Sequence, residues 1–131
     1  MKFSAGTVTK INDLIIEFYF EKDVEIDQQL SVEILGIIMQ LAEGGPHSLL
    51  YNFNRQNIIL SDIARKLSGA RDYSNSMLLA RAIVTQSMAS SLEVSHYIKI
   101  DRPAADTLIF DNKEKAVNWL TEKAMKYRVA R

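Results

Sequence analysis

Apolar residues near the start of the chain form two runs that predict a β-hairpin. The first run spans Thr7–Asn12 and the second spans Leu14–Glu21, and both are rich in β-branched or aromatic residues. The dipeptide Asn12-Asp13 has the composition of a tight turn between them. Because the second run is almost continuously apolar, we expect a strand covered on both faces, with the core including Phe18, Tyr19 and Phe20.

The next segments show the three- and four-residue spacing of helices that bury one face. Asp27 is a candidate N-cap, and Gly44-Gly45-Pro46 ends the helix that follows it. Ser61 caps a second helix, and Asp62 places a negative charge where the helix dipole favours an anion. The predicted inward residues are Leu30, Ile34, Ile37, Ile38 and Leu41 in the first helix, and Ile63, Ala64, Leu67 and Ala70 in the second.

Three shorter apolar runs predict strands at about Ser48–Phe53, Met77–Thr85 and Thr107–Phe110. Helices are predicted over Ser87–Ile98 and after a capping box at Asp111-Asn112-Lys113-Glu114. The order β-β-α-β-α-β-α-β-α, with short connections, implies an α/β fold. We therefore expect one domain over residues 1–131, with a mostly parallel layered sheet, an N-terminal antiparallel hairpin and about four helices.

Composition and charge narrow the classes of function. Basic and acidic side chains number 16 each, so no overall field draws the protein to nucleic acid or to an anionic membrane. The chain has no Cys, which excludes disulfides and thiolate chemistry. No stretch reaches the roughly 18 apolar residues of a membrane span, and no signal-peptide run follows Met1. We expect a cytoplasmic protein that binds no nucleic acid.

Patterns for catalysis or metal binding are sparse. His47 is expected in a turn and His96 as a partly buried helix residue, and a metal site would need carboxylates from distant segments beside them. The sequence holds no strained serine elbow and no glycine-rich phosphate loop. We therefore expect no enzyme activity, no metal and no cofactor.

Two clusters of charge and one aromatic residue have structural interpretations. The acidic cluster is interpreted as a solvated connection between a strand and a helix, and Trp119 as helix packing. The basic cluster flanks Ser61 and is either a solvated helix face or a surface for an anionic partner or ligand. The acidic residues are Glu21, Asp23, Glu25 and Asp27, and the basic ones are Arg55, Arg65, Lys66, Arg71 and Arg81.

The closing segment Leu108–Leu120 carries the pattern F-x-x-x-x-E-A-x-x-W-L, with Lys115 in place of the acid before Ala116. Together with the element order, this pattern resembles the STAS domain of bacterial anti-sigma factor antagonists, and more closely the SpoIIAA-like proteins related to it. The resemblance covers nearly the whole chain. It implies a non-catalytic module that regulates by binding a protein.

In the antagonists, a Ser or Thr at the start of the helix after the third strand is phosphorylated by the partner kinase. Ser61 stands at that position, so the resemblance implies Ser61 as a phosphorylation candidate. Leu60, Asp62 and Ile63 depart from the family's Asp-Ser-Ser-Gly pattern, and Asp62 would place a like charge beside a phosphate. The alternative is that Ser61 is only an N-cap, worth about 1 kcal/mol.

Two hypotheses of function follow, and the first is protein binding through the helix and loops around Ser61. The partner would be another protein or a second copy of the chain in a homodimer. The candidate partner-binding residues are Arg55, Asp62, Arg65 and Lys66.

The second hypothesis is a module that binds a small apolar ligand or a lipid. Related CRAL-TRIO-like versions of the layered fold hold such molecules between helix and sheet. Met39, Met77 and Met88 would supply adaptable walls for such a cleft, although Met as core filler is the simpler interpretation.

Overall fold

A six-stranded sheet forms the centre of the structure, a computed structural model that describes residues 1–66 and 77–130. In chain order the strands are β1 (Lys2–Phe3), β2 (Gly6–Lys10), β3 (Ile15–Phe20), β4 (Val24–Ile26), β5 (His47–Asn54), β6 (Ile58–Leu60), β7 (Leu78–Thr85) and β8 (Asp106–Phe110). The helices are α1 (Gln28–Ala42), α2 (described over 62–66), α3 (Met88–Asp101) and α4 (Lys113–Ala130).

The central sheet has the strand order β1-β2-β3-β5-β7-β8. Strand β2 pairs antiparallel with β1 and with β3, whereas the pairs β3–β5, β5–β7 and β7–β8 are parallel. The hairpin between β2 and β3 turns at Asn12, whose side-chain oxygen accepts hydrogen bonds from the backbone N–H groups of Leu14 and Ile15. The predicted α/β class, with a mostly parallel sheet and an N-terminal antiparallel hairpin, is confirmed.

Helices cover the two faces of the sheet unequally. The larger core lies between one face and the helices α1, α2 and α3, and the smaller core lies between the other face and α4. Because side chains alternate along a strand, Phe18 and Phe20 of β3 enter the larger core. Tyr19 points to the α4 side, is only half-buried, and its hydroxyl accepts a hydrogen bond from Asn54 at 2.9 Å. Its predicted place in the core is therefore wrong.

Most of the predicted helix boundaries are confirmed by their caps. Asp27 accepts a hydrogen bond from the backbone N–H of Leu30 at 2.9 Å and caps α1. The helix ends at Ala42, and its C-cap Glu43 adopts the left-handed conformation with φ of 51°, one residue before the predicted Gly. The predicted capping box at Asp111 is wrong by one residue, because the oxygen that caps α4 belongs to Asn112 and accepts from Lys115 N–H.

Three short strands were not predicted, and two of them pair with each other outside the main sheet. Strand β4 pairs in parallel with β6, so the acidic connection after β3 is partly ordered rather than fully solvated. Asp23 accepts a hydrogen bond from the backbone N–H of Asn57 at 2.8 Å, next to this pair. Runs of two or three residues carry too little periodicity to be recognised in a sequence.

Both histidines differ from their predicted positions. His47 is not in a turn but is the buried first residue of β5, with Nδ1 3.0 Å from the carbonyl oxygen of Gly45. His96 is not partly buried but exposed on α3.

Among residues 1–66 and 77–130, no three His, Asp or Glu side chains are placed to hold a metal ion. Of the helices in these same ranges, none is both long enough and apolar enough to cross a membrane.

One buried carboxylate ties α4 to the sheet. Glu17 of β3 faces the α4 side, where its Oε1 lies 2.8 Å from Nζ of Lys113 at the start of the helix. Its other oxygen accepts a hydrogen bond from Asn52 Nδ2 at 3.2 Å. A buried carboxylate is stable only when such partners replace its water.

We predict that Lys113→Met lowers the free energy of unfolding by about 1–2 kcal/mol, because it leaves a buried carboxylate without its cation while the exposed half of the lysine limits the effect. Urea denaturation followed by circular dichroism measures the change. The matched control is Lys115→Met, which removes an exposed pair with Asp111 and should change stability by less than about 0.5 kcal/mol. Equal losses in the two variants would contradict this role for Glu17.

Candidate functional site

Ser61 lies at the junction of β6 and α2, and its own hydrogen bonds fix it there. Its backbone N–H donates to the carbonyl of Ile26 at 3.1 Å, which extends the pairing of β4 with β6. Its Oγ accepts from the backbone N–H of Ala64 at 3.0 Å. The predicted N-cap role of Ser61 is confirmed.

An open groove, here called the Ser61 groove, runs between the first turns of α1 and α2. Its lining residues are Asp27, Gln28, Gln29, Val32, Ser61 and Ile63. Val32 is 58% exposed and Ile63 is 55% exposed, so two branched apolar side chains face solvent here. The predicted inward position of Ile63 is wrong, whereas Ala64 next to it is buried as predicted. Leu67 and Ala70 lie outside the described residues.

The charged residues near Ser61 are less clustered than the sequence implies. Arg65 hydrogen-bonds to Asp62, and its Nη1 lies 3.6 Å from Oδ2 of Asp101 at the end of α3. The hydrogen bond to Asp62 raises the pKa of Arg65, and the charges of Asp101 and Glu93 act in the same direction against the effect of burial. Arg65 is therefore a cation that already pairs with two carboxylates.

The other basic candidates lie apart from this pair. Arg55 precedes β6, at the end opposite Ser61, and its Nε donates to Oε1 of Gln86 at 3.2 Å. Lys66 is exposed on α2. Arg81 is buried within the sheet, and Arg71 lies outside the described residues. Of the four predicted partner-binding residues, the structure brings only Asp62 and Arg65 together.

Strand β6, which leads into Ser61, is held by side chains of α3. Ser90 Oγ accepts from the backbone N–H of Ile58 at 2.9 Å and donates to the carbonyl of Gln56 at 2.8 Å. Glu93 Oε2 accepts from the backbone N–H of Leu60 at 3.1 Å. These side chains satisfy backbone groups that another strand would otherwise bind. Neither Ser90 nor Glu93 is among the residues predicted for the site. The signal for them in the sequence is the weak apolar pattern of α3, where polar side chains lie on the inward face.

A cavity of about 70 Å³ lies on the core side of α2, which contributes Ala64 and Arg65 to its wall. Its described walls are mainly apolar, as at Ile34, Phe53 and Ile83, and its charged members are Arg65 and Arg81. The three methionines expected to line such a cleft do not line it. Met39, Met77 and Met88 are all exposed.

A family model matches residues 9–124 of the chain, which includes the groove, the cavity and the polar contacts of β6. The chain belongs to the family described as Domain of unknown function (DUF7793). Comparisons of this DUF7793 chain with curated proteins and with solved structures found no match.

We predict that Ser90→Ala in this DUF7793 domain lowers the free energy of unfolding by about 1–3 kcal/mol, because it leaves the buried N–H of Ile58 and the partly buried carbonyl of Gln56 without the Ser90 hydroxyl. Hydrogen exchange should also show faster exchange at the amide of Ile58. Ser95→Ala, on the exposed face of the same helix, is the matched control and should change stability by less than about 0.5 kcal/mol. Unchanged exchange at Ile58 in the Ser90 variant would contradict the assignment.

Proposed function

We propose that this domain is a non-catalytic regulatory module of the STAS/SpoIIAA-like kind, which binds another protein at the Ser61 groove. The observation that carries the proposal is the exposure of Ile63 beside Val32 in that groove. Apolar side chains surrounded by polar ones are typical of protein-binding surfaces. The position of the groove supports the proposal too. The resemblance to the antagonists implies that the partner binds at the helix that begins at Ser61, and this helix forms one side of the groove.

The chemistry of the groove indicates the kind of protein segment that binds there. Val32 and Ile63 offer contact to one or two apolar side chains of the partner. Gln28 and Gln29 can donate and accept hydrogen bonds at the edge, and the exposed carboxylate of Asp62 favours a donor or a cation. We therefore propose a partner segment with an apolar anchor and a basic flank. Lys66 is proposed at the margin of the surface, and Arg55 is left out because it lies at the far end of β6.

Phosphorylation of Ser61 is the regulatory step that the resemblance implies. Its Oγ already accepts the N–H of Ala64, and Asp62 is the next residue, so a phosphate would lie beside a carboxylate as well as at the helix N-terminus. We propose the cap as the role of Ser61. Detection of a phosphopeptide with modified Ser61 in native cells would contradict this assignment and favour phosphorylation of Ser61 as the regulatory step.

We predict that a photo-crosslinking amino acid at position 63 captures one defined protein in native cells. The same substitution at position 129 is the matched control, because Val129 is also an exposed apolar residue but lies on α4. Purified partner should then bind Ile63→Asp about tenfold or more weakly than wild type in calorimetry, since a charge replaces a desolvated anchor. Thermal melting of Ile63→Asp should match wild type, because the side chain is exposed.

The outcomes separate the alternatives. Capture of a second copy of the chain from position 63, with a dimeric mass in light scattering, would replace the heterologous partner with a homodimer. Equal capture from positions 63 and 129, or no change in affinity for Ile63→Asp, would overturn the proposal.

A second candidate function is the binding of a small apolar ligand, and the observation that favours it is the mainly apolar cavity under α2. Native mass spectrometry of the protein purified from its own host tests this function. A bound mass that denaturation releases supports the hypothesis, and the mass of the bare chain contradicts it.

A further inference from the structure

We propose that the domain forms a homodimer in which strand β8 pairs antiparallel with β8 of a second copy. The two six-stranded sheets would then join into one continuous sheet across a two-fold axis. The proposal concerns the edge of the main sheet, and it does not depend on the Ser61 groove or on the cavity under α2.

The outer edge of β8 is open in the part of the chain that the structure describes. The strand pairs with β7 along one side, over Asp106–Phe110, and its other side has no strand partner. None of its five residues is fully buried, and Leu108 is 47% exposed. Along such an edge the outward N–H and C=O groups are free to pair with another strand.

Strand β8 lacks the features that usually protect an edge strand. Proteins protect sheet edges with very short strands, bulges, Pro or charged side chains, especially Lys. Strand β1, at the opposite edge, has two residues, and one of them is Lys2. By contrast, β8 has five residues in regular register with β7 and contains neither Lys nor Pro. One edge of the sheet is therefore protected and the other is open.

The sequence of β8 is complementary to itself when two copies pair antiparallel about Leu108. Each Leu108 then lies opposite the other at the two-fold axis, and each Thr107 lies opposite an Ile109. Each Asp106 lies opposite a Phe110, so no two like charges oppose each other. This register pairs all five residues and keeps each side chain on the same face of the joined sheet.

The side chains beside the edge also suit a second copy. Lys123 of α4 already neutralises Asp106, with Nζ 2.6 Å from Oδ2, so this acid does not repel another copy. Trp119 packs on Phe110 with ring centroids 5.7 Å apart, and both rings are half-buried. Leu108 lies on the same face as Phe110 and extends this apolar rim. A second β8 would place its own Leu108 against the rim and remove both from water.

The paired surface is short, so we expect a weak dimer with a Kd of about 100 µM. Sedimentation velocity of the 131-residue chain measures this equilibrium. The mean mass should rise from the 14.9 kDa of one chain toward twice that value as the concentration increases. A range from about 5 µM to about 1 mM covers the transition.

A charge at the centre of the strand should weaken the dimer. Leu108→Lys places two like charges opposite each other at the two-fold axis, and we expect the Kd to rise at least about tenfold. The matched control is Ile59→Lys, because Ile59 is a 57% exposed residue of β6, outside the main sheet. Its Kd should equal that of wild type. Both variants should melt at the wild-type temperature, since both side chains are exposed.

A single thiol on the strand tests the register directly. The chain has no Cys, so Leu108→Cys supplies one thiol per copy. Opposite residues of an antiparallel pair have Cα atoms about 4.5–5.5 Å apart, which a disulfide can span. The control is Asp106→Cys on the same face, because its two copies would lie about 14 Å apart. Oxidation with copper phenanthroline should link Leu108→Cys at least about tenfold faster than Asp106→Cys.

Each other result contradicts the proposal. A wild-type mass that stays at that of one chain up to about 1 mM would overturn the homodimer and leave the edge to a strand of another protein. An equal Kd for Leu108→Lys and wild type would assign the dimer to another surface. If Leu108→Lys does not fold, oxidation of Leu108→Cys decides, and linking no faster than in Asp106→Cys would overturn the register. Crosslinks from position 63 report separately on the Ser61 groove.

Discussion

The structure depends on burying both faces of the parallel strands β3, β5 and β7. The two faces are covered by different numbers of helices. Three helices pack on one face, and that face carries large aromatic and aliphatic side chains. Of the helices in the part of the chain that the structure describes, α4 alone packs on the other face, where β7 presents Ala80 and Ala82 and so lets the helix approach closely. Glu17 and Asn52 also lie on the α4 side, and Lys113 reaches over them from the helix. The face under the three helices is therefore mainly apolar, with Arg81 of β7 as a buried exception, and the face under α4 is partly polar.

The region around Ser61 depends on hydrogen-bond partners for the backbone of β6. Strand β6 leaves the main sheet and pairs only with β4, so its remaining backbone groups require other partners. Ser90 and Glu93 of α3 supply them. As a result α3 shows little amphipathic pattern in the sequence, because part of its inward face binds backbone rather than apolar side chains. The polar face of α3 thereby fixes the strand from which α2 begins.

Helix α2 stands between the two proposed binding sites. Ser61 and Ile63 line the groove on its outer side, and Ala64 and Arg65 line the cavity on its inner side. Arg65 links the two regions, since it contacts Asp62 outside and Asp101 at the end of α3. The two functions proposed for the domain therefore concern opposite sides of one short segment and can be tested independently.

Features that arise from local chemistry could be predicted from the sequence alone. The caps formed by Asp27 and Ser61 depend only on the residues next to them in the chain. The alternation of short apolar runs with segments of helical spacing is enough to predict a mostly parallel sheet. Tertiary structure decided which side of each element meets the core. Ile63 faces out and Arg81 faces in, although the spacing of residues around them is compatible with the reverse. Spacing shows which residues share a face, but the choice of the buried face depends on the areas that distant elements cover when they pack together.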